Sequence, residues 1–367
     1  MKAYINGRVF TGNEMLTGVA VITDKEIVTA IADAKNIPAD AEIINLQNKI
    51  LAPAFIDIQI YGGNGKLFSQ DQSVAAIQST YEYCLAGGAS HFFITLATNS
   101  TEVFLKGIDA VREYWKQGGK GMPGLHLEGP YLNPVKRGAH IEKYIKKPTV
   151  KEVKELLDYG KGVIKIMTIA PEQCDDAVIQ LLSDNNIIIS AGHSNATYKQ
   201  AIAAFDKGIK TCTHLFNAMS AFQHREPGLV GAIYNHQEVM SSIVPDGIHV
   251  DFTALQISKK IMQERLFIIT DAVTAATEGG YPHVFKGDRY TMPDGILSGS
   301  ALTMMQGVKN LVTKADIELE EALRMASLYP ARVVGMDKEL GRIEKGYKAD
   351  FVLFNDTFSV EEVITAE

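Results

Sequence analysis

The chain is poor in cysteine, has no long apolar run and no dense basic stretch, and shows neither repeats nor low-complexity segments. Each absence removes a class of protein. Its three cysteines, Cys84, Cys174 and Cys212, are odd in number and far apart among 367 residues. They do not make a disulfide framework and suit a reducing compartment. The opening MKAYINGRVFTGNEML has no apolar signal core, so a cytoplasmic location is expected. No stretch reaches the roughly 20 apolar residues of a membrane span. A net charge of −7 with no Lys/Arg cluster disfavours a nucleic-acid partner. An apolar share of 46% is that of an ordinary globular chain, and the length exceeds the ~250 residues of an α/β barrel by about a hundred.

What is present follows a simple order. Residues 1–50 read as short alternating strands separated by turns, such as the break at Asn6-Gly7. From residue 52, eight short apolar runs alternate with amphipathic stretches: AFIDIQI, SHFFITLA, PGLHLEG, GVIKIMTIA, NIIISAGH, KTCTHLFN, MSSIVPDG and LFIITDA. Eight buried strands with helices between them predict a (β/α)8 TIM-type barrel, with a doubly wound open sheet as the alternative. After the eighth run come a Gly-rich excursion from residue 278, two helices near 301–314 and 318–328, and a strand-like tail. The expected organisation is a small β domain from residues 1–51 plus 340–367, and a catalytic barrel over 52–339.

In such a barrel the carboxyl ends of all the strands meet at one mouth. Here those ends carry Asp57, Gln59, Thr95, Glu128, Thr168, His193, His214, Asp246 and Asp271. Most are costly to bury without partners. Two histidines and a carboxylate form a catalytic metal set with an open position, so Glu128, His193 and His214 are the expected ligands of one divalent ion. Zinc is the first choice and iron(II) the alternative. The competing reading is that each histidine only caps its strand by hydrogen bonding. His126 shares the face of Glu128 one layer deeper and reads as a packed residue; His91 reads as structural, His236 as a surface residue, and His283 is unassigned.

Loops above the mouth add His140, Asn217, the backbone at Ala218, Arg225 and His249. Arginine and histidine suit an anionic substrate, because a guanidinium grips phosphate with two parallel hydrogen bonds. A surface salt bridge is the ordinary fate of such an arginine. Ser298 or Ser300 could cap the following helix or close over a ligand.

Taken in order, FIDIQIYGG, GLHLEGPYLNPVKRGAH, SAGHSNAT, THLFNAM, REPGL, DGIHVD, TDA, LSGSALTM, ASLYPAR and GRIEKGYKADFVLF resemble the N-acetylglucosamine-6-phosphate deacetylases of the amidohydrolase superfamily. The resemblance runs from about residue 50 to 355. It implies hydrolysis of N-acetyl-D-glucosamine 6-phosphate to D-glucosamine 6-phosphate and acetate. Glu128, His193 and His214 then match metal ligands, Asp271 the general base and acid, and His140 the group that polarises the acetyl carbonyl. Asn217, Ala218, Arg225 and His249 match positions that hold the sugar phosphate; Ala139, Leu297, Ser298 and Gly299 match further substrate contacts. It also implies a homodimer or homotetramer in which Arg225 reaches the neighbouring subunit's site. Many amidohydrolases have two histidines after the first strand for a second metal. Gln59 and Tyr61 stand there instead, which implies a single metal. The alternatives are an N-acetylgalactosamine-6-phosphate deacetylase and, in another class, a non-catalytic barrel acting as a binding protein.

Overall fold

The computed structural model describes residues 1–277 and 279–366; Glu278, where the excursion begins, and Glu367, the end of the expected β domain, lie outside the described residues. Eight parallel strands form one sheet in chain order: β1 (Phe55–Ile60), β2 (Ala89–Ala97), β3 (Leu125–Glu128), β4 (Ile164–Ile169), β5 (Ile188–Ala191), β6 (Thr211–Cys212), β7 (Met240–Ile243) and β8 (Leu266–Ile268). The expected eight-stranded barrel is therefore observed. Closure comes just past the strand ends. Ile60 bridges Ala272 in parallel, Tyr61 donates its N–H to the carbonyl of Ala272 at 2.9 Å, and Asp271 donates to Gln59 at 3.1 Å. All six residues of β1 are buried, as expected for parallel strands covered on both faces.

The helices form for local reasons. Thr101–Lys116 starts at Ser100, whose hydroxyl accepts the Val103 N–H, and it buries Phe104, Ile108, Val111 and Tyr114 along one face. Tyr198–Asp206 starts with a reciprocal capping box between Thr197 and Gln200. The helix at Met304–Thr313 is capped by Thr303 and not by Ser298 or Ser300. Two more helices follow, Leu319–Ala326 and Leu328–Val333. The excursion contains an antiparallel sheet of Val284–Phe285, Arg289–Thr291 and Leu297–Ser300.

The chain termini build two further sheets. A four-stranded one uses Ile27–Asp33, Val19–Asp24, Lys2–Ile5 and Glu42–Asn45. A five-stranded one joins both ends of the chain: Phe351–Phe354 lies antiparallel to Ile50–Pro53, with Val352 opposite Ala52. Tyr4, Val9, Val21, Val28, Leu51 and Phe351 pack as their common core. The chain divides into two compact units. One comprises Met1–Asp57, Tyr83–His91 and everything from Thr303 onward; the other comprises Ile58–Glu82 and Phe92–Leu302. No helix among the described residues is long and apolar enough to cross a membrane.

Candidate active site and metal centre

Glu128 is the last residue of β3, and His193, His214 and Asp271 follow β5, β6 and β8 by two or three residues. The last three have left-handed backbone, with φ of 47°, 38° and 54°. Such conformations are costly for residues with a Cβ and collect at functional sites. They turn the chain sharply at the barrel rim and direct three polar side chains to one point.

That point is compact. Glu128 Oε1 lies 3.2 Å from His214 Nε2 and 3.3 Å from His193 Nε2, and the two imidazole nitrogens are 3.1 Å apart. Tetrahedral ligands bound at ~2.0–2.2 Å stand about 3.3–3.6 Å from one another. The triangle is slightly tighter than that spacing, and it fits one small cation after a shift of a few tenths of an ångström. A second grouping overlaps it: atoms of Glu128, His140 and His193 also lie within 4.8 Å of one another.

Hydrogen bonding distinguishes the two histidines. His193 Nδ1 lies 2.8 Å from the carbonyl of Lys136, which can only accept, so Nδ1 carries the proton. Burial, aided by His140, lowers His193 to about 4, so its ring is neutral and Nε2 presents a lone pair. His140 is the reverse. Its Nδ1 accepts the backbone N–H of Thr98 at 3.2 Å, so the proton of the neutral ring lies on Nε2, which faces Glu128 Oε2 at 3.1 Å. His140 is thus arranged as a donor. Burial would lower His214, but the hydrogen bond and charge of Glu128 outweigh it and raise the ring. A cation would displace that proton. Nδ1 of His214 is buried with no hydrogen-bond partner, so this ring is oriented from its Nε2 side.

Burial would also raise the Glu128 carboxyl, yet the imidazoles of His140 and His193 beside it hold it well below the usual range. Asp271 moves the other way. Burial raises it, Glu128 adds to the rise, and His214 and His249 only partly oppose it. Its Oδ1 accepts from Gln59 at 2.9 Å, and its Oδ2 is 3.8 Å from His249 Nε2. His249 is set by Asp246, whose Oδ2 receives Nδ1 at 2.5 Å.

A cavity of about 740 Å³, counted out to solvent, opens above these groups. It is lined by Glu128, Ala139, His140, His193, His214, Asn217, Ala218, His249, Asp271, Leu297, Ser298 and Gly299. Arg225 is not among the lining residues; it lies on the exposed stretch 221–226. His126, one layer below, is buried between the Ile58 carbonyl at 3.0 Å and the Thr168 hydroxyl at 2.8 Å, which makes it a packed residue.

Tyr61, Tyr281 and His283 also line the cavity, and the sequence gives none of them a role. Tyr61 donates its hydroxyl to Glu128 Oε2. Tyr281 donates to the Thr98 carbonyl at 2.5 Å, on the residue that holds His140. His283 pairs with Ser298 Oγ at 2.8 Å and stacks on Tyr281 with ring centres 6.2 Å apart. Tyr281 and His283 lie in the excursion, which shows no apolar period, so no sequence signal marks them.

Comparison with known proteins gives a consistent picture. The amidohydrolase family model matches residues 50–366, and the NagA composite domain matches residues 1–51. An N-acetylglucosamine-6-phosphate deacetylase of Haemophilus influenzae is 36% identical over 370 residues, covering 98% of this chain and 96% of that protein. The crystal structure of N-acetylglucosamine-6-phosphate deacetylase from Pasteurella multocida superposes with a TM-score of 0.95 at 34% identity, covering 100% of this chain and 98% of that one. An N-acetylgalactosamine-6-phosphate deacetylase of Escherichia coli O157:H7 is 29% identical, covering 89% of each chain.

Proposed function

The chain belongs to the amidohydrolase family, among its N-acetylglucosamine-6-phosphate deacetylases, and on that premise we propose that it hydrolyses the acetamide of N-acetyl-D-glucosamine 6-phosphate to D-glucosamine 6-phosphate and acetate. The observation that carries the reading is the Glu128–His193–His214 triangle, with Asp271 beside it on the same cavity. The galacto epimer is the second reading, and the lower identity of the E. coli relative favours the gluco sugar.

One metal would be held by Glu128 Oε1, His193 Nε2 and His214 Nε2, with zinc the first choice and iron(II) the second. When bound, such an ion polarises the amide carbonyl and makes a water acidic enough to act near neutral pH. Asp271 takes the proton of the attacking water and passes it to the departing amine. Its raised affinity for protons suits both steps. His140 supplies its Nε2 proton as a hydrogen bond to the carbonyl oxygen as charge builds there. Ala139, Leu297, Ser298 and Gly299 would shape the sugar pocket. Asn217, Ala218 and His249 would hold the sugar phosphate, with Arg225 contributed by a neighbouring subunit.

The exposure of Arg225 supports its acting on a second copy in a homodimer or homotetramer. In the same loop Phe222 is 61% exposed, and Ile257 and Ile261 on the helix Phe252–Met262 are half exposed. Apolar surface of that kind suits a subunit contact. For domains, we place the divisions at 51/52 and 339/340; the composite-domain match over residues 1–51 supports the first.

The test is acetate release from N-acetylglucosamine 6-phosphate, N-acetylgalactosamine 6-phosphate and both unphosphorylated sugars, with metal content measured on the same sample. Fast release from the gluco 6-phosphate at about one metal per chain is expected. No release from it, or faster release from the galacto epimer, would overturn the assignment.

A further inference from the structure

The two oxygens of Glu128 have different surroundings. Oε1 is the one within 3.3 Å of both His193 Nε2 and His214 Nε2. Oε2 receives the phenol of Tyr61 and faces the protonated Nε2 of His140 at 3.1 Å. Tyr61 is itself held in place. The Gln59 amide N–H donates to its phenol oxygen at 2.9 Å, which leaves the phenol proton for Glu128. The same amide nitrogen lies 3.1 Å from Glu128 Oε1 and 2.9 Å from Asp271 Oδ1. Gln59 is 1% exposed, Glu128 2% and Tyr61 7%, so little water competes for these bonds, and buried chains of this kind hold groups firmly.

We propose that Tyr61 is a positioning residue that occupies Oε2 of Glu128 and so confines this carboxylate to one-oxygen coordination of the metal through Oε1. Gln59 completes the bracket: one amide N–H holds the Tyr61 phenol oxygen at 2.9 Å, and the other points to Asp271 Oδ1 at 2.9 Å, with Glu128 Oε1 3.1 Å from the same nitrogen. The proposal rests on the ligand set given above. His140 must turn from Oε2 toward the substrate carbonyl during the reaction, and Tyr61 is the donor that stays. A carboxylate with one oxygen so occupied leaves a coordination position open for the reacting groups. A carboxylate gripping with both oxygens fills that position.

Tyr61→Phe keeps the ring and removes the donor. In the cobalt(II)-loaded protein it is expected to retain one metal per chain, while the visible absorption weakens and shifts as the coordination number rises. Turnover should fall about 10- to 100-fold, the usual cost of losing such an outer partner, with KM little changed. Tyr61→Gln, whose amide still donates toward Glu128, should move the spectrum back toward wild type, and it provides the comparison should Tyr61→Phe not fold. An unchanged cobalt spectrum in Tyr61→Phe overturns the proposal, as does a KM change with the spectrum untouched, or a Tyr61→Gln spectrum unlike wild type. Glu128→Ala and His214→Ala separate this from the underlying reading. If either keeps a full equivalent of cobalt, the ligand set is wrong and the proposal falls with it. If both lose cobalt and Tyr61→Phe leaves the spectrum intact, only the role of Tyr61 fails.

Discussion

His140 and His214 both sit beside Glu128, and exchanging either for a non-ligand should lower the rate, but only the loss of His214 should lower the metal content. Their distances to the carboxylate are nearly equal, 3.1 and 3.2 Å, so proximity does not separate them. The backbone N–H of Thr98 does, because it donates to His140 Nδ1, which must then be unprotonated and leaves Nε2 as the donor. His140→Asn should therefore purify with a full equivalent of metal. It should lose the hydrogen bond to the developing oxyanion, which for such donors is worth about 2.7–4 kcal/mol, or a 10²- to 10³-fold fall in kcat. His214→Ala removes one corner of the triangle. It should purify with much less than one equivalent, and added metal should restore only part of its activity. The assay is metal analysis after gel filtration, paired with acetate release at saturating substrate. Metal lost from His140→Asn and retained in His214→Ala would refute the tautomer argument and make Glu128, His140 and His193 the ligand set.

Asp271→Asn should keep its metal and lose about 10²- to 10⁴-fold in turnover, since an amide cannot accept the water's proton; near-normal turnover would remove Asp271 from that role. In the wild type, burial raises Asp271 from the ordinary aspartate value. The base works only when ionised, so kcat/KM should be full above that raised value and decline as pH falls through it, starting at higher pH than for an exposed aspartate; a pH–rate profile flat down to pH ~4 would contradict this. Arg225→Ala should raise KM for the phosphorylated sugar about 10- to 100-fold, from ~1.5–3 kcal/mol for a charged hydrogen bond, and leave KM for the unphosphorylated sugar unchanged. Gly129 has φ of +86°, and a Cβ there would lie 2.1 Å from Thr98 Oγ1. Gly129→Ala should cost about 1–3 kcal/mol of stability and lower activity as well, because Thr98 holds His140; an unchanged melting temperature would show that the loop yields freely.

Much of the barrel is legible in the sequence because buried parallel strands leave continuous apolar runs, and eight of them appear before residue 273. The β domain is legible in the return of strand texture after residue 340, which pairs with Ile50–Pro53. The excursion is less so. Its strands are two to four residues long, too short to show a period, so Tyr281 and His283 carry no mark of their place on the cavity. The serines at 298 and 300 look like helix caps, but Thr303 takes that role, Ser298 pairs with His283, and Ser300 donates to the Thr270 carbonyl at 2.6 Å.

By itself the sequence determined that eight strands alternate with helices, and so that Glu128, His193, His214 and Asp271 end strands opening on one face. That much follows from local period and turn chemistry. The tertiary structure alone decided what each of these groups can do. The proton on His193 is placed by a carbonyl 57 residues away, and that on His140 by an N–H 42 residues away. The bond from Gln59 to Asp271 spans 212 residues. Contacts of this kind exist only when barrel closure brings distant strand ends within hydrogen-bonding distance. The left-handed turns at His193, His214 and Asp271 belong to the same class, because that conformation is costly for a residue with a Cβ and here is held at the barrel rim by the surrounding structure.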